Sequence, residues 1–317
     1  MIVVDSLFIA ILNMSITGVY VIVAILLARL LLKKSPKVIS YCLWMVVGIR
    51  LIFPFSIDSV WSLVPFGVQP IAVLMSDMFS REANASLVST VITTGGLIWI
   101  IGATAMFAYG ISSYTILKRN LQKSIHKQGN IFEGVNIATP HVLGFIYPKI
   151  YLPLELSDEE RKYVILHEQI HIRRFDHFVK FIAYSILCLH WFNPLVWLAF
   201  SLMCRDMEMS CDEHVLKKMG VEETKEGYSM ALVALAIEKK FITNSPLAFG
   251  GSDVKARVEN VLNFKNISKL AISVKIILAI VFSAGLMTNT VIATDLQEDC
   301  IWPIYPTFSC CEASIWH

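Results

Sequence analysis

His167, Glu168 and His171 stand in the order H-E-x-x-H. On a helix, residues four apart lie one above the other, so both imidazoles face the same way and can grip one metal ion. Glu168 follows the first of them directly, close enough to take a proton from a water held by that ion. Two nitrogen ligands with a neighbouring carboxylate base form the core of zinc-dependent peptide hydrolysis. The bland alternative is a surface helix that happens to carry two histidines.

Catalytic zinc usually takes three protein ligands and keeps a fourth position open. The third should come from a second helix packed against the first. Glu208 is the preferred candidate, within Arg205-Asp206-Met207-Glu208-Met209-Ser210-Cys211-Asp212-Glu213. Asp212 lies one turn later on the same face and can accept a hydrogen bond from the free N–H of one histidine. Asp206, Glu213, His214, His177 and Asp176 compete as ligands. Arg173, Arg174 and Asp176 otherwise read as dipole and surface charges closing the motif helix. His190, beside Trp191, reads as a core histidine.

The motif needs a helix, and its surroundings supply one. Ser157 is a candidate N-cap, and Glu160 three residues on completes a capping box. Asp158 and Glu159 suit the positive end of the helix dipole. Tyr163, Val164, Ile165, Leu166 and Ile170 supply packing positions, and neither Pro nor Gly interrupts residues 157–175. Residues 142–152, with Val, Phe, Ile and Tyr between Gly144 and the prolines at 148 and 153, read as a strand or hairpin beside that helix. Its free edge could hold a substrate in extended form, or it could be ordinary packing. Residues 228–237 are apolar and could cover the site, and residues 253–264 form an amphipathic helix.

Composition places this chemistry at a membrane. Of 317 residues, 56% are hydrophobic and only 16% charged, and the mean hydropathy is +0.62. Soluble domains carry about 25% charged residues. Four apolar stretches, near residues 7–32, 38–55, 87–114 and 270–292, are candidate spans. Basic residues cluster between the first two, after the third and around the start of the fourth. The loop at 56–86 and the tail after the fourth are acidic. That asymmetry puts both termini outside and His167 and His171 on the cytoplasmic side. Arg50, inside the second span, either snorkels or pairs within the bundle. A net charge of +2 gives no nucleic-acid surface.

Residues 178–200 are nearly all apolar but cannot form a full span without separating His171 from Glu208. A helical hairpin or re-entrant element turning at Asn193-Pro194 resolves the conflict, with a buried core helix as the alternative. The seven cysteines show no metal or disulfide spacing. Cys188, Cys204 and Cys211 read as buried small hydrophobes. Cys42 falls in a span, and Cys300, Cys310 and Cys311 fall in the outside tail, where they could form disulfides.

Three segments, taken in order, resemble the BlaR/MecR family of membrane zinc peptidases: Thr139 to Pro153 (TPHVLGFIYPKIYLP), His167 to His171, and His190 to Trp197 (HWFNPLVW) leading to Glu208-Met209-Ser210-Cys211-Asp212. The resemblance covers roughly residues 1–292. It implies a cytoplasmic gluzincin-type domain with His167, His171 and Glu208 as zinc ligands and Glu168 as general base. It also implies signalling: an outside stimulus activates the peptidase, which cleaves itself and promotes cleavage of a cytoplasmic repressor of antibiotic-resistance genes. Antibiotic-sensing members carry a large outside penicillin-binding domain with an S-x-x-K nucleophile. Here about 25 residues follow the fourth span, and the S-x-x-K match, Ser124 to Lys127, falls on the expected inside. Acylation by antibiotic is therefore not expected of this chain.

The resulting expectation is a mainly α, multi-span helical membrane protein with about four transmembrane helices. It carries a cytoplasmic gluzincin-like zinc peptidase domain with a small β element. Its parts are a membrane region at 1–114, the peptidase domain at 115–268 with the apolar hairpin at 178–200, a fourth span at 269–293 and an outside tail at 294–317. Expected partners are the bilayer, a cytoplasmic protein substrate such as a transcriptional repressor, and a second copy of the chain. Two competing readings are a membrane quality-control metalloprotease and a non-catalytic zinc-containing transducer.

Overall fold

A computed structural model describes residues 2–33, 35–53, 57–58, 85–135, 137, 139–219, 224–238, 254–265 and 269–289. The loop at 56–86 lies almost wholly outside them. So does the tail with Cys300, Cys310 and Cys311.

Among the described residues, three helices come first: α1 (Ile2–Leu31), α2 (Lys37–Ile52) and α3 (Ala85–Leu121). Within them, Val3–Leu31 and Ser89–Leu121 are long and apolar enough to cross a membrane. The other two expected spans are shorter. Helix α2 has 16 residues, about 24 Å at ~1.5 Å per residue. Prolines bracket it: Pro36 stands at its N-cap, and Phe53, extended at φ −101° and ψ 119°, precedes Pro54. The last described helix, α9 (Lys269–Met287), has 19 residues, apolar apart from Lys269, Lys275 and two serines. Arg50 is buried in the bundle.

A small sheet follows α3. Strands β2 (Ile125–Gln128), β3 (Ile131–Gly134), β4 (His141–Leu143) and β5 (Lys149–Pro153) align in the order β2-β3-β5-β4. Only β3 and β5 run parallel. Gly144, at φ +115°, makes the β4–β5 turn, where a Cβ would meet the Tyr147 carbonyl at 2.5 Å. A cross-strand ladder of His126, Phe132, Tyr151 and His141 rings runs over one face. Strand β4 is an edge and packs on the next helix. The remaining strands, β1 (Ile57–Asp58) and β6 (Thr288–Asn289), form a two-residue parallel pair.

Five more helices are described before α9: α4 (Asp158–Arg173), α5 (Asp176–Leu189), α6 (Pro194–Lys218), α7 (Lys225–Glu238) and α8 (Val254–Leu262). The apolar segment at 178–200 is a hairpin of α5 and the start of α6. Asn193 caps α6 by accepting from Leu195 N at 2.9 Å, with Pro194 in the first turn. The same side chain donates to Ser15 Oγ of α1 at 2.7 Å. Leu189 O accepts from Trp99 Nε1 of α3 at 2.7 Å, and His190, fully buried, bonds Leu51 O of α2 at 3.1 Å. Tyr184 donates to Met106 O at 2.9 Å. Gly102 is required here, because a Cβ would overlap the Trp191 ring.

One apolar core therefore joins the first helices to the hairpin. It combines Val21, Ile22 and Ile25 of α1, Leu43 and Val47 of α2, Leu187 of α5 and Met203 and Met207 of α6. Smaller clusters lie between α4, α6, α7 and α8, and between the sheet and α4.

Candidate metal centre

The motif helix α4 starts with the capping box read from the sequence: Glu160 N donates to Ser157 Oγ at 3.3 Å, and Ser157 N to Glu160 Oε2 at 3.0 Å. One face of α4 packs against α6. His167, Glu168 and Ile170 are buried there, with His171 partly covered.

The two imidazoles converge. His167 Nε2 and His171 Nε2 face each other at 3.0 Å. Each ring's other nitrogen has a partner that fixes its tautomer. His171 Nδ1 donates to Asp176 Oδ2 at 2.7 Å. Tyr228 Oη donates to Asp212 Oδ1 at 2.7 Å, so it accepts from His167 Nδ1 at 3.0 Å. Asp212 Oδ1 itself lies 3.3 Å from His167 Nδ1. With both Nδ1 atoms so engaged, the two Nε2 atoms point at one spot, where a bound cation would take them as ligands.

Electrostatics agree. Burial alone would disfavour charge on His167, but Cys211, Asp212 and Glu208 outweigh it. For His171, Cys211, Glu208 and Asp176 do the same, so both groups sit well above the usual histidine range. Burial pushes the Glu208 carboxyl up, while His171, His167 and Arg257 pull it well below the carboxylate range. The donor set fits a divalent ion bound by nitrogen and oxygen.

Two side chains can supply the third donor. Glu208 Oε2 lies 3.4 Å from His167 Nε2 and 3.7 Å from His171 Nε2. Cys211 also has its sulfur within 4.8 Å of ring nitrogens on both histidines. The thiol is fully buried and donates to His167 O at 3.4 Å. Glu208 is the preferred donor because it brings a carboxylate charge that faces both imidazoles and Arg257. The reading of Cys211 as an inert hydrophobe missed this proximity.

The other sequence candidates go elsewhere. Asp206 accepts from Arg29 and Trp44. Glu213 accepts from Lys37 N at the start of α2. His214 bonds Ser210 O, and His177 sits edge-on to Phe145. Asp176 corrects the surface-charge reading: it is only 2% exposed and backs His171. The chain reaches it through Phe175, a non-glycine residue in the left-handed region at φ 57°. That single residue ends α4 and turns Asp176 back toward the ring five positions earlier.

Sequence reasoning also passed over Arg257 and Tyr228. Arg257 forks onto Asp212, with Nη2–Oδ1 at 2.6 Å and Nε–Oδ2 at 2.8 Å. Its Nη1 is 3.3 Å from Glu208 Oε2, and its Nη2 is 3.5 Å from His167 Nε2. A guanidinium therefore borders the spot where the lone pairs meet. Glu168 is buried in α4, and its charge acts on His141 of β4 and Lys180 of α5. His141 donates through Nδ1 to Thr139 O at 2.8 Å, and its Nε2 is buried without a partner.

A family model described as BlaR1 peptidase M56 matches residues 9–261. The chain is 29% identical over 201 residues to the regulatory protein BlaR1 of Bacillus licheniformis, an overlap of 55% of this chain and 33% of that protein. It is 22% identical over 338 residues to the methicillin resistance mecR1 proteins of Staphylococcus aureus and Staphylococcus epidermidis, covering 90% of this chain and 56% of each. The chain spans between a third and just over half the length of these curated relatives. Because the matched region runs from the first helix through the one that carries Arg257, the chain belongs to the BlaR1 peptidase M56 family.

Proposed function

We propose that this chain is a multi-pass membrane zinc metallopeptidase that transduces a signal by proteolysis. Its termini lie outside and its site on the cytoplasmic side. His167, His171 and Glu208 hold the ion, Asp212 orients His167, and Glu168 is the general base. The substrate is the chain itself, a cytoplasmic repressor of the BlaI/MecI type, or both. The observation that carries this reading is the convergence of two Nε2 lone pairs and Glu208 Oε2 beside a buried glutamate. The relatives' names, a regulatory protein and methicillin resistance proteins, favour a regulatory role.

When bound, zinc supplies a Lewis acid that polarises the scissile carbonyl and acidifies water. Glu168 takes the proton of the attacking water and later delivers it to the leaving amine. Arg257 presents N–H groups beside the site, where they can stabilise charge that develops on the carbonyl oxygen. The β4 edge can align an extended peptide along α4, with backbone groups pairing as in a sheet.

The test uses the full chain, expressed with a candidate repressor and purified in detergent for metal analysis. One equivalent of zinc and a membrane-bound self-cleavage fragment are expected. Glu168→Gln should keep the zinc and lose the fragment. Processing that continues in Glu168→Gln, or native protein without stoichiometric zinc, would defeat the proposal. Digestion of many unrelated membrane proteins with the repressor spared would shift the role to quality control.

A further inference from the structure

Asp176, which backs one of the two histidines, is itself held from outside the motif helix. Tyr41, one turn into α2, donates its hydroxyl to Asp176 Oδ1 at 3.0 Å. The other oxygen, Oδ2, accepts from His171 Nδ1 at 2.7 Å. Arg174 completes the surround. Its Nε is 3.4 Å from Asp176 Oδ2, its guanidinium stacks 5.0 Å from the Tyr41 ring centre, and its Nη1 donates to the buried Ser210 Oγ at 3.2 Å. Ser210 lies two residues after Glu208 on α6. The carboxylate is thus pinned between α2 and the end of α4. The turn that brings it there keeps an exposed phenylalanine at positive φ, a conformation such residues rarely hold without support from their surroundings.

His167 is secured differently. Its partners are Asp212 of α6, Tyr228 of α7 and, through Asp212, Arg257 of α8. None of these comes from α1, α2 or α3. Of the two histidines, His171 alone is therefore oriented through a carboxylate bonded to one of the opening helices.

We propose that Tyr41 is a positioning residue for the metal centre: its hydroxyl fixes Asp176, which fixes the His171 ring with Nε2 toward the ion. The proposal rests on His171 being a zinc ligand. Partners behind a ligand commonly tune metal affinity by about 10–100-fold. Tyr41 acts one step further out, so its removal should fall near the lower end. A change in where α2 lies would then reach the ion directly, through two hydrogen bonds.

The experiment compares full-length native protein, Tyr41→Phe, Asp176→Asn and the double variant in detergent. Apparent zinc affinity is read by competition with a chromophoric chelator. Cobalt(II) is then loaded to saturation and its visible ligand-field spectrum recorded. Phenylalanine keeps the ring under Arg174 and deletes one oxygen, and Tyr109→Phe, at an exposed tyrosine of α3, is the control. Tyr41→Phe should weaken zinc about tenfold and shift the cobalt bands, with the control unchanged. Asp176→Asn should do more, and the double variant should match Asp176→Asn alone. Native affinity and an unshifted cobalt spectrum in Tyr41→Phe would overturn the proposal, as would full addition of the two effects in the double variant. If Tyr41→Phe does not fold, the same spectral shift in Asp176→Asn supports the inner step, and an unshifted spectrum there overturns the proposal. A native protein that binds no zinc fails earlier, and fails the metallopeptidase reading with it.

Discussion

Neutralising Asp212 should damage this protein in a way that a second substitution repairs. Asp212 is fully buried and accepts from Arg257 at 2.6 and 2.8 Å and from Tyr228 at 2.7 Å. A hydrogen bond to a charged group is worth about 1.5–3 kcal/mol. Removing one member of a buried ion pair costs more, about 3–5 kcal/mol, because the survivor is left uncompensated. In Asp212→Asn that survivor is Arg257, with only Glu208 still opposite it. A loss of about 3 kcal/mol is expected, which lowers Tm by roughly 4–5 °C in a protein of this size. Arg257→Met should be milder, since Tyr228 still donates to Asp212 and the His167 ring stays beside it.

The double variant carries neither charge, so it should lose about 2 kcal/mol less than the sum of the singles. Unfolding is followed in detergent with excess chelator, so that bound zinc does not add its own stabilisation. In parallel, Asp212→Asn should weaken zinc by about 10–100-fold, because His167 loses its anionic support. Single effects that add to within about 0.5 kcal/mol would show that the pair is not coupled, and the account of Arg257 would fail with them.

Three further outcomes follow from the same geometry. Zinc affinity should fall as pH drops, starting above the ordinary imidazole pKa of ~6.5, because proton and ion compete for nitrogens whose raised pKa favours the proton; titrations at pH 8, 7 and 6 that stay flat would contradict this. Arg29→Ala should lower Tm by leaving the buried Asp206 with the Trp44 N–H and the nearby Lys37 charge in place of its two-pronged partner, a loss of about 3 kcal/mol. Arg29→Lys should recover only part of it, since an ammonium cannot make the two-pronged contact, and an unchanged Tm in Arg29→Ala would count against that pairing. Gly144→Ala should destabilise the β4–β5 turn by about 1–3 kcal/mol, from its positive φ and the overlap with Tyr147 O, and a native-like Tm would argue against that turn.

The parts of the site that were legible in the sequence are those written in local spacing. His167 and His171 four apart, Ser157 and Glu160 three apart, and Glu208 and Asp212 four apart each encode a helical face, and helices supply that face. The hairpin was legible for a similar reason, since Asn193-Pro194 is both a cap and a stop. Asp176 was misread because its role depends on one backbone dihedral. Phe175 carries no composition signal for a left-handed turn, so Asp176 read as a surface charge closing the helix. Arg257 and Tyr41 were out of reach because each meets the site only through tertiary packing. On α8, Arg257 reads as the polar flank of an amphipathic helix. On α2, Tyr41 reads as one more aromatic at a span's edge. The short α2 was foreshadowed by Pro36 and Pro54, which hydropathy alone does not weigh.

The shared core changes what regulation would require. If the peptidase part were a separate body tethered to spans, a signal would have to cross a flexible joint. Instead, Leu187 of α5 and Met203 and Met207 of α6 pack in the same cluster as Ile22 of α1 and Leu43 of α2, and Met207 precedes Glu208 directly. Closely packed interiors shift between discrete arrangements rather than bending smoothly. An ion pair and hydrogen bonds fix the register at the same level: Arg29 of α1 and Trp44 of α2 both bind Asp206, two residues before Glu208. Lys37 N at the head of α2 binds Glu213, one residue after Asp212. A rearrangement of α1 and α2 would therefore have to carry α6 along or break these bonds, and either course moves Glu208 relative to His167 and His171. The residues that set metal geometry and those that set helix packing alternate along one stretch of α6, so neither can change alone.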